Sequence, residues 1–171
     1  MKTIATAILV LVIVNYSHSQ KLVENKIDEF TKHAVKRTSW EVLMEKFGTT
    51  MYVRYSKIDS IEWLDLKIML GGKVFAIPAG ETFMLKLSND SIVKLTSYTH
   101  EISCRGCGAR GFAGSAAEGV MVNYVIDAET HELLKKFSLK KVRLYTTDGY
   151  LEEDVNKGKA DAVQGIIKLI E

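Results

Sequence analysis

The chain is 171 residues long, 47% hydrophobic and 26% charged, with 23 lysines and arginines against 21 aspartates and glutamates for a formal charge of +2. That near balance makes no case for nucleic acid or an anionic membrane surface as a partner, and the hydrophobic content excludes a disordered chain. With only 2 cysteines there is no dense disulfide framework, and the length suffices to bury a core without one.

In chain order, residues 1–19 read as an export signal. Lys2 is a short basic start, Ile4 to Val14 form an apolar run of signal length, and Ser17-His18-Ser19 places small residues where a signal peptidase reads. Cleavage is expected before Gln20. The run is shorter than the about 20 apolar residues that span a bilayer, and no cysteine at the cleavage point offers a lipid attachment site. The expected mature protein is secreted or periplasmic, without a transmembrane anchor, and forms a single β-rich α+β domain over residues 20–171. No internal repeat or low-complexity linker divides that stretch.

The segment from Phe30 to Val42 has the Thr, Val and Trp content of a strand, yet Trp40, Leu43, Met44 and Phe47 also fit a helix capped by Ser39. A strand is expected before Ser39, and residues 39–47 stay open between the two. Met51, Val53 and Tyr55 then alternate with polar neighbours, as do Leu64, Leu66, Ile68 and Leu70, the period of half-buried strands. Gly71-Gly72 predicts a tight hairpin into Lys73 to Ile77. A second hairpin is expected in Phe83 to Leu95, turning at Asn89-Asp90, with strand continuing over Tyr98 to Ser103 and resuming at Val120, Val122, Tyr124 and Ile126.

The period then changes. Asp127 is the expected N-cap of a short helix through Phe137, with Leu133, Leu134 and Phe137 on one face. Lys141 to Thr147 reads as a strand closed by Asp148-Gly149. From Lys159 onward, Ala160, Val163, Ile167 and Ile170 recur at helical spacing, describing an amphipathic helix that covers a core. The expected fold class is α+β: mainly antiparallel sheet, as a sandwich or an open barrel, with a short helix and a C-terminal amphipathic helix packed on it.

Cys104-Arg105-Gly106-Cys107 is the one motif with intrinsic chemistry. A thioredoxin-type pair opens a helix, which lowers the pKa of the attacking thiol; here Gly108 and Gly111 follow, each costing a helix about 1 kcal/mol relative to alanine, and the single proline, Pro78, lies upstream. Haem attachment needs a histidine where this chain has Gly108. Over Cys104 to Gly111 the segment resembles one half-repeat of the cysteine-rich zinc module of certain co-chaperones, which would imply a zinc site. That module requires a second pair to complete four ligands, and the chain has none; His100 is the nearest candidate for a third. In an exported protein a structural disulfide across a tight turn is the preferred reading, with no metal and no cofactor.

That disulfide clamps the root of a loop, Arg105 to Gly119, rich in glycine and alanine. Such loops are exposed and bind ligands: Arg105 and Arg110 can hold a carboxylate or phosphate, and Phe112 is an aromatic with no evident stabilising role. Elsewhere, Glu152, Glu153 and Asp154 lack the spacing of a calcium loop, and the basic cluster Lys135, Lys136, Lys140, Lys141 and Arg143 runs from a helix into a strand, which argues against a nucleic-acid surface. No hydrolase or zinc-protease motif occurs. The sequence therefore predicts an exported, non-enzymatic protein that binds a protein partner or small ligand through Arg105, Arg110 and Phe112, with thiol-disulfide or metal-dependent activity at Cys104 and Cys107 as the alternative.

Overall fold

The computed structural model describes residues 20–107 and 117–170. The strands are β1 (Leu22–Ile27), β2 (Ala34–Thr38), β3 (Glu41–Lys46), β4 (Thr49–Ile58), β5 (Ile61–Leu70), β6 (Ala76–Ile77), β7 (Thr82–Leu87), β8 (Ile92–Thr96), β9 (Glu101–Ile102), β10 (Cys104–Arg105) and β11 (Glu118–Ile126). They are followed by helix α1 (Ala128–Lys136), β12 (Leu139–Thr146), β13 (Gly149–Asp154) and helix α2 (Lys157–Lys168). A seven-stranded antiparallel sheet runs β1-β2-β4-β5-β11-β10, with β3 also on β4, and a four-stranded sheet runs β13-β12-β7-β8. Neither closes into a barrel.

The two long central strands follow from their alternation. Met51, Val53 and Tyr55 of β4 and Leu64, Leu66 and Ile68 of β5 are buried, and Val120, Val122 and Tyr124 of β11 continue the same face. Against it lie Phe83, Leu85 and Leu87 of β7 and Val142 and Leu144 of β12, so the inner faces of both sheets form one contiguous cluster. Helix α2 adds Ala160, Val163, Ile166 and Ile167 to that cluster, so its apolar stripe covers core as the spacing predicts. Helix α1 begins at the expected cap, where the Asp127 side chain accepts from Thr130 N at 2.7 Å. Among the described residues no helix is long and apolar enough to cross a membrane.

The structure settles one open assignment and corrects two local expectations. Residues 41–46 are strand: β3 pairs with β4 through a bulge between Val42 and Met44. A bulge shifts the alternation by one residue, which buries the adjacent Leu43 and Met44 together and imitates helical spacing. Ser39 caps no helix; its Oγ donates to Glu41 Oε1 at 2.7 Å.

The second point concerns Gly71-Gly72, which ends β5 without starting the expected hairpin partner. Both edges of β5 are already occupied, by β4 and β11, so residues 73–77 leave the sheet and β6 pairs with β9 instead. The third lies in residues 98–103, where a continuous strand is replaced by the short β9 and β10, separated by Ser103. The Phe83–Leu95 hairpin is as expected, with Phe83 opposite Leu95 and Leu85 opposite Val93. So is the β12-β13 hairpin at Asp148-Gly149.

Candidate functional site

The outer face of the seven-stranded sheet carries the residues that alternate with the core. At its centre is Asp65 on β5, buried to 3% exposure although it points away from the core. Its neighbours in register are Arg54 on β4 and Asn123 on β11. Asp65 Oδ2 accepts from Arg54 Nε at 2.7 Å and Ser56 Oγ at 3.0 Å, while Oδ1 accepts from Asn123 Nδ2 at 2.6 Å. A buried carboxylate held by three donors, one of them a cation, has its hydrogen-bonding demand met.

The same face continues across β2. Arg37 pairs in register with Ser56, so it lies diagonally beside Arg54 on the same surface. Glu24 of β1 accepts from Arg37 Nη1 and pairs with Lys26; hydrogen bonds from Lys26 and then Arg37 hold its carboxyl below the ordinary range. β2 and β3 share one edge of β4, and the joint between them is Ser39-Trp40. That joint sets the Trp40 ring against two cations, with the Arg54 guanidinium 4.5 Å and Lys67 Nζ 4.6 Å from its centroid.

Two adjoining recesses result. The larger, about 770 Å³, is bounded by β1, β2 and Trp40. The smaller, about 230 Å³, has Trp63 and Tyr98 as its aromatic wall and Asp65 and Asn123 on its floor. Arg37 and Arg54 line both, so the pair forms the junction of one groove. Trp63 meets Tyr98 edge to face at 5.5 Å, Tyr98 is 67% exposed, and the Trp63 indole N–H has no partner among the described residues.

The sequence-derived site lies at one end of this sheet. Cys104 and Cys107 form a disulfide with Cα atoms 5.2 Å apart. The turn that allows it has Cys107 N donating to Cys104 O at 3.0 Å and Gly106 at a φ of +73°, the pattern of a type II turn, which favours glycine at that position. In this form neither sulfur is the thiolate that redox attack or zinc ligation requires. Among the described residues no group of three or more His, Cys, Asp or Glu is placed to hold a metal.

Arg105 sits on β10 opposite Glu118, and Cys104 opposite Gly119. The Cys107 carbonyl lies against Gly119 in the space a β-carbon would fill, so the clamp closes only over glycine. Arg110 and Phe112 lie outside the described residues. The row Thr49, Leu70, Glu118, Arg105 crosses four strands in register, which brings the fully exposed Phe47 of the β3-β4 turn to the same end as the clamp.

The acidic and basic clusters neutralise each other. Glu152 pairs with Lys141 and Arg143, and Lys46 with Glu153; Arg143 and Lys141 hold the Glu152 carboxyl below its ordinary value. Lys140 of β12 pairs with Asp90 of the β7-β8 turn. The basic run therefore presents no single face.

A second polar cluster carries no signature in the sequence. At the end of the inner face, Tyr55 Oη donates to Glu62 Oε2 at 2.8 Å and lies 3.0 Å from His131 Nδ1 of α1, which bonds the same carboxylate. Lys57 Nζ donates to Glu62 Oε1 at 2.9 Å. Burial, and then the Glu62 carboxylate, push the Tyr55 phenol far up, so it stays protonated as a donor. Burial also pushes the Glu62 carboxyl up, but the bonds from Lys57, Tyr55 and His131 outweigh it and leave it below its ordinary value.

No protein-family model matches this chain, and no curated protein and no solved structure is significantly similar to it.

Proposed function

We propose that this is an exported, non-enzymatic binding protein whose recognition surface is the groove on the outer face of the large sheet. One observation carries it: Asp65 is a nearly buried carboxylate on the face that turns away from the core, held by Arg54, Ser56 and Asn123 from neighbouring strands. Burying charge on an outward face costs stability that apolar packing would supply more cheaply. Its return is a rigid polar floor between aromatic walls, the usual make-up of a ligand site. The two polar clusters bond their own side chains to one another, which supports a rigid surface. Export rests on the N-terminal segment and fits a disulfide, a bond of oxidising compartments.

The clamped hairpin is the second surface of this reading, supported by the exposed Phe47 at the same end of the sheet. The chain has 2 tryptophans, Trp40 and Trp63, and both line the groove, so tryptophan emission reports on this site alone. The test follows that emission while saccharides, amino acids and nucleotides are added one at a time. Any compound that shifts the emission is then measured by calorimetry on Trp63→Ala and on a triple variant with Arg105, Arg110 and Phe112 changed to alanine. Loss of binding in Trp63→Ala alone is expected. Loss only in the triple variant moves the site to the hairpin, and a panel that leaves the emission untouched sinks the groove.

A further inference from the structure

The groove holds two guanidinium groups at its junction, and each uses one nitrogen on a carboxylate: Nη1 of Arg37 on Glu24, and Nε of Arg54 on Asp65. Neither makes a further hydrogen bond to a carboxylate or carbonyl of a described residue, so Nη1 and Nη2 of Arg54 and Nε and Nη2 of Arg37 keep N–H donors for a ligand. Their own carboxylates fix both side chains, which removes most of the ordering cost that a free arginine meets on binding. With Lys26 alongside, the groove lining carries three cations against the two anions Glu24 and Asp65. Two forks held side by side with excess positive charge match the geometry and charge of an oxyanion.

What is attached to that oxyanion follows from the rest of the groove. Trp63 and the exposed Tyr98 give an open aromatic wall, while the Trp63 N–H itself is buried beneath it. Asn25, Ser39 and Asn123 scatter amide and hydroxyl groups around it. An aromatic acid would be served by an enclosed apolar pocket. An open trough in two connected compartments, with one aromatic wall and dispersed polar groups, suits a chain of polar rings whose flat faces stack and whose hydroxyls are bonded singly.

Resting on the groove reading above, we infer that the ligand is an acidic oligosaccharide, bound with its carboxylate or sulfate between Arg37 and Arg54 and a pyranose ring against Trp63 and Tyr98. Four probes test it by calorimetry and tryptophan emission: a trigalacturonide for carboxylate, a heparin-derived disaccharide for sulfate, a neutral galactotriose and inorganic sulfate. At least one acidic saccharide is expected to bind about tenfold or more tighter than galactotriose, the effect of a charge-assisted hydrogen bond, and to weaken as salt is raised. Arg37→Gln, at the rim, is expected to lose about tenfold on that ligand; Arg54→Lys retains a cation for Asp65 and tests the fork if Arg37→Gln folds poorly.

Equal binding of galactotriose and the acidic sugars overturns the inference and leaves the groove standing. Inorganic sulfate binding as tightly as the acidic sugars overturns the part played by the ring. Silence from all four overturns the inference, while the groove then stands or falls on the wider panel.

Discussion

The two faces of the seven-stranded sheet are built from the same strands by alternate residues, yet they do opposite things. Inward, Val53, Leu66 and Val122 meet the second sheet at almost zero exposure. Outward, Arg54, Asp65 and Asn123 occupy the next positions on the same three strands and bond to one another. The difference is not simply buried against exposed, because Asp65 is as hidden as much of the core. It lies in what satisfies the buried group: apolar contacts, which are non-directional and tolerant, or hydrogen bonds, which fix geometry. The inner face supplies stability and the outer face supplies a shape held in advance.

Leu66→Ala tests the inner half of that contrast and carries the largest expected effect. Removing a fully buried side chain in the sheet centre costs about 4 kcal/mol in urea denaturation, while tryptophan emission of the folded protein stays at its native position. Asp65→Ala, one residue away, is expected to cost less, about 3 kcal/mol, since Arg54 keeps some access to water. It also shifts the native emission, because Arg54 is no longer held over Trp40. If both variants shift the emission equally, the two faces are not separable in this way.

The smallest effect belongs to the inner face's own polar cluster. The Glu62 carboxyl is held below its ordinary value of 4.5. A group depressed in the folded state contributes stability that is fully present above the unfolded value and is lost as pH falls through the folded one. Glu62→Gln is therefore expected to flatten the decline in stability between pH 5 and pH 3, roughly one unit either side of an ordinary carboxyl. An unchanged acid limb would show that this cluster contributes packing and no charge.

Much of the fold is legible in the chain because alternation writes β4, β5, β7 and β11 directly, and because Asp127 and the stripe of α2 mark their helices. What escaped did so for identifiable reasons. The bulge at Val42-Met44 buried two adjacent residues, which period two forbids. Gly71-Gly72 carried a true turn signal, but a turn does not reveal that the edge beside it is taken. The disulfide was readable because its partners are three residues apart. The groove was not: Arg54, Asp65 and Asn123 read as the solvent half of ordinary strands, and nothing local says that β1, β2 and the Ser39-Trp40 joint raise a rim around them. Arg110 and Phe112 remain expectations, since they lie outside the described residues.

The bond between Asp65 and Asn123 spans 58 positions of chain. It closes only after β11 has docked on β5 in the correct register, and a slip of one residue there would turn Asn123 into the core and Val122 outward. Long-range pairings of this kind form late, after the loop-closure entropy has been met. The polar floor of the smaller recess thus depends on the least local pairing of the large sheet, so a chain mispaired there lacks that floor. On the proposed reading, recognition therefore depends on a register set 58 positions apart in the chain.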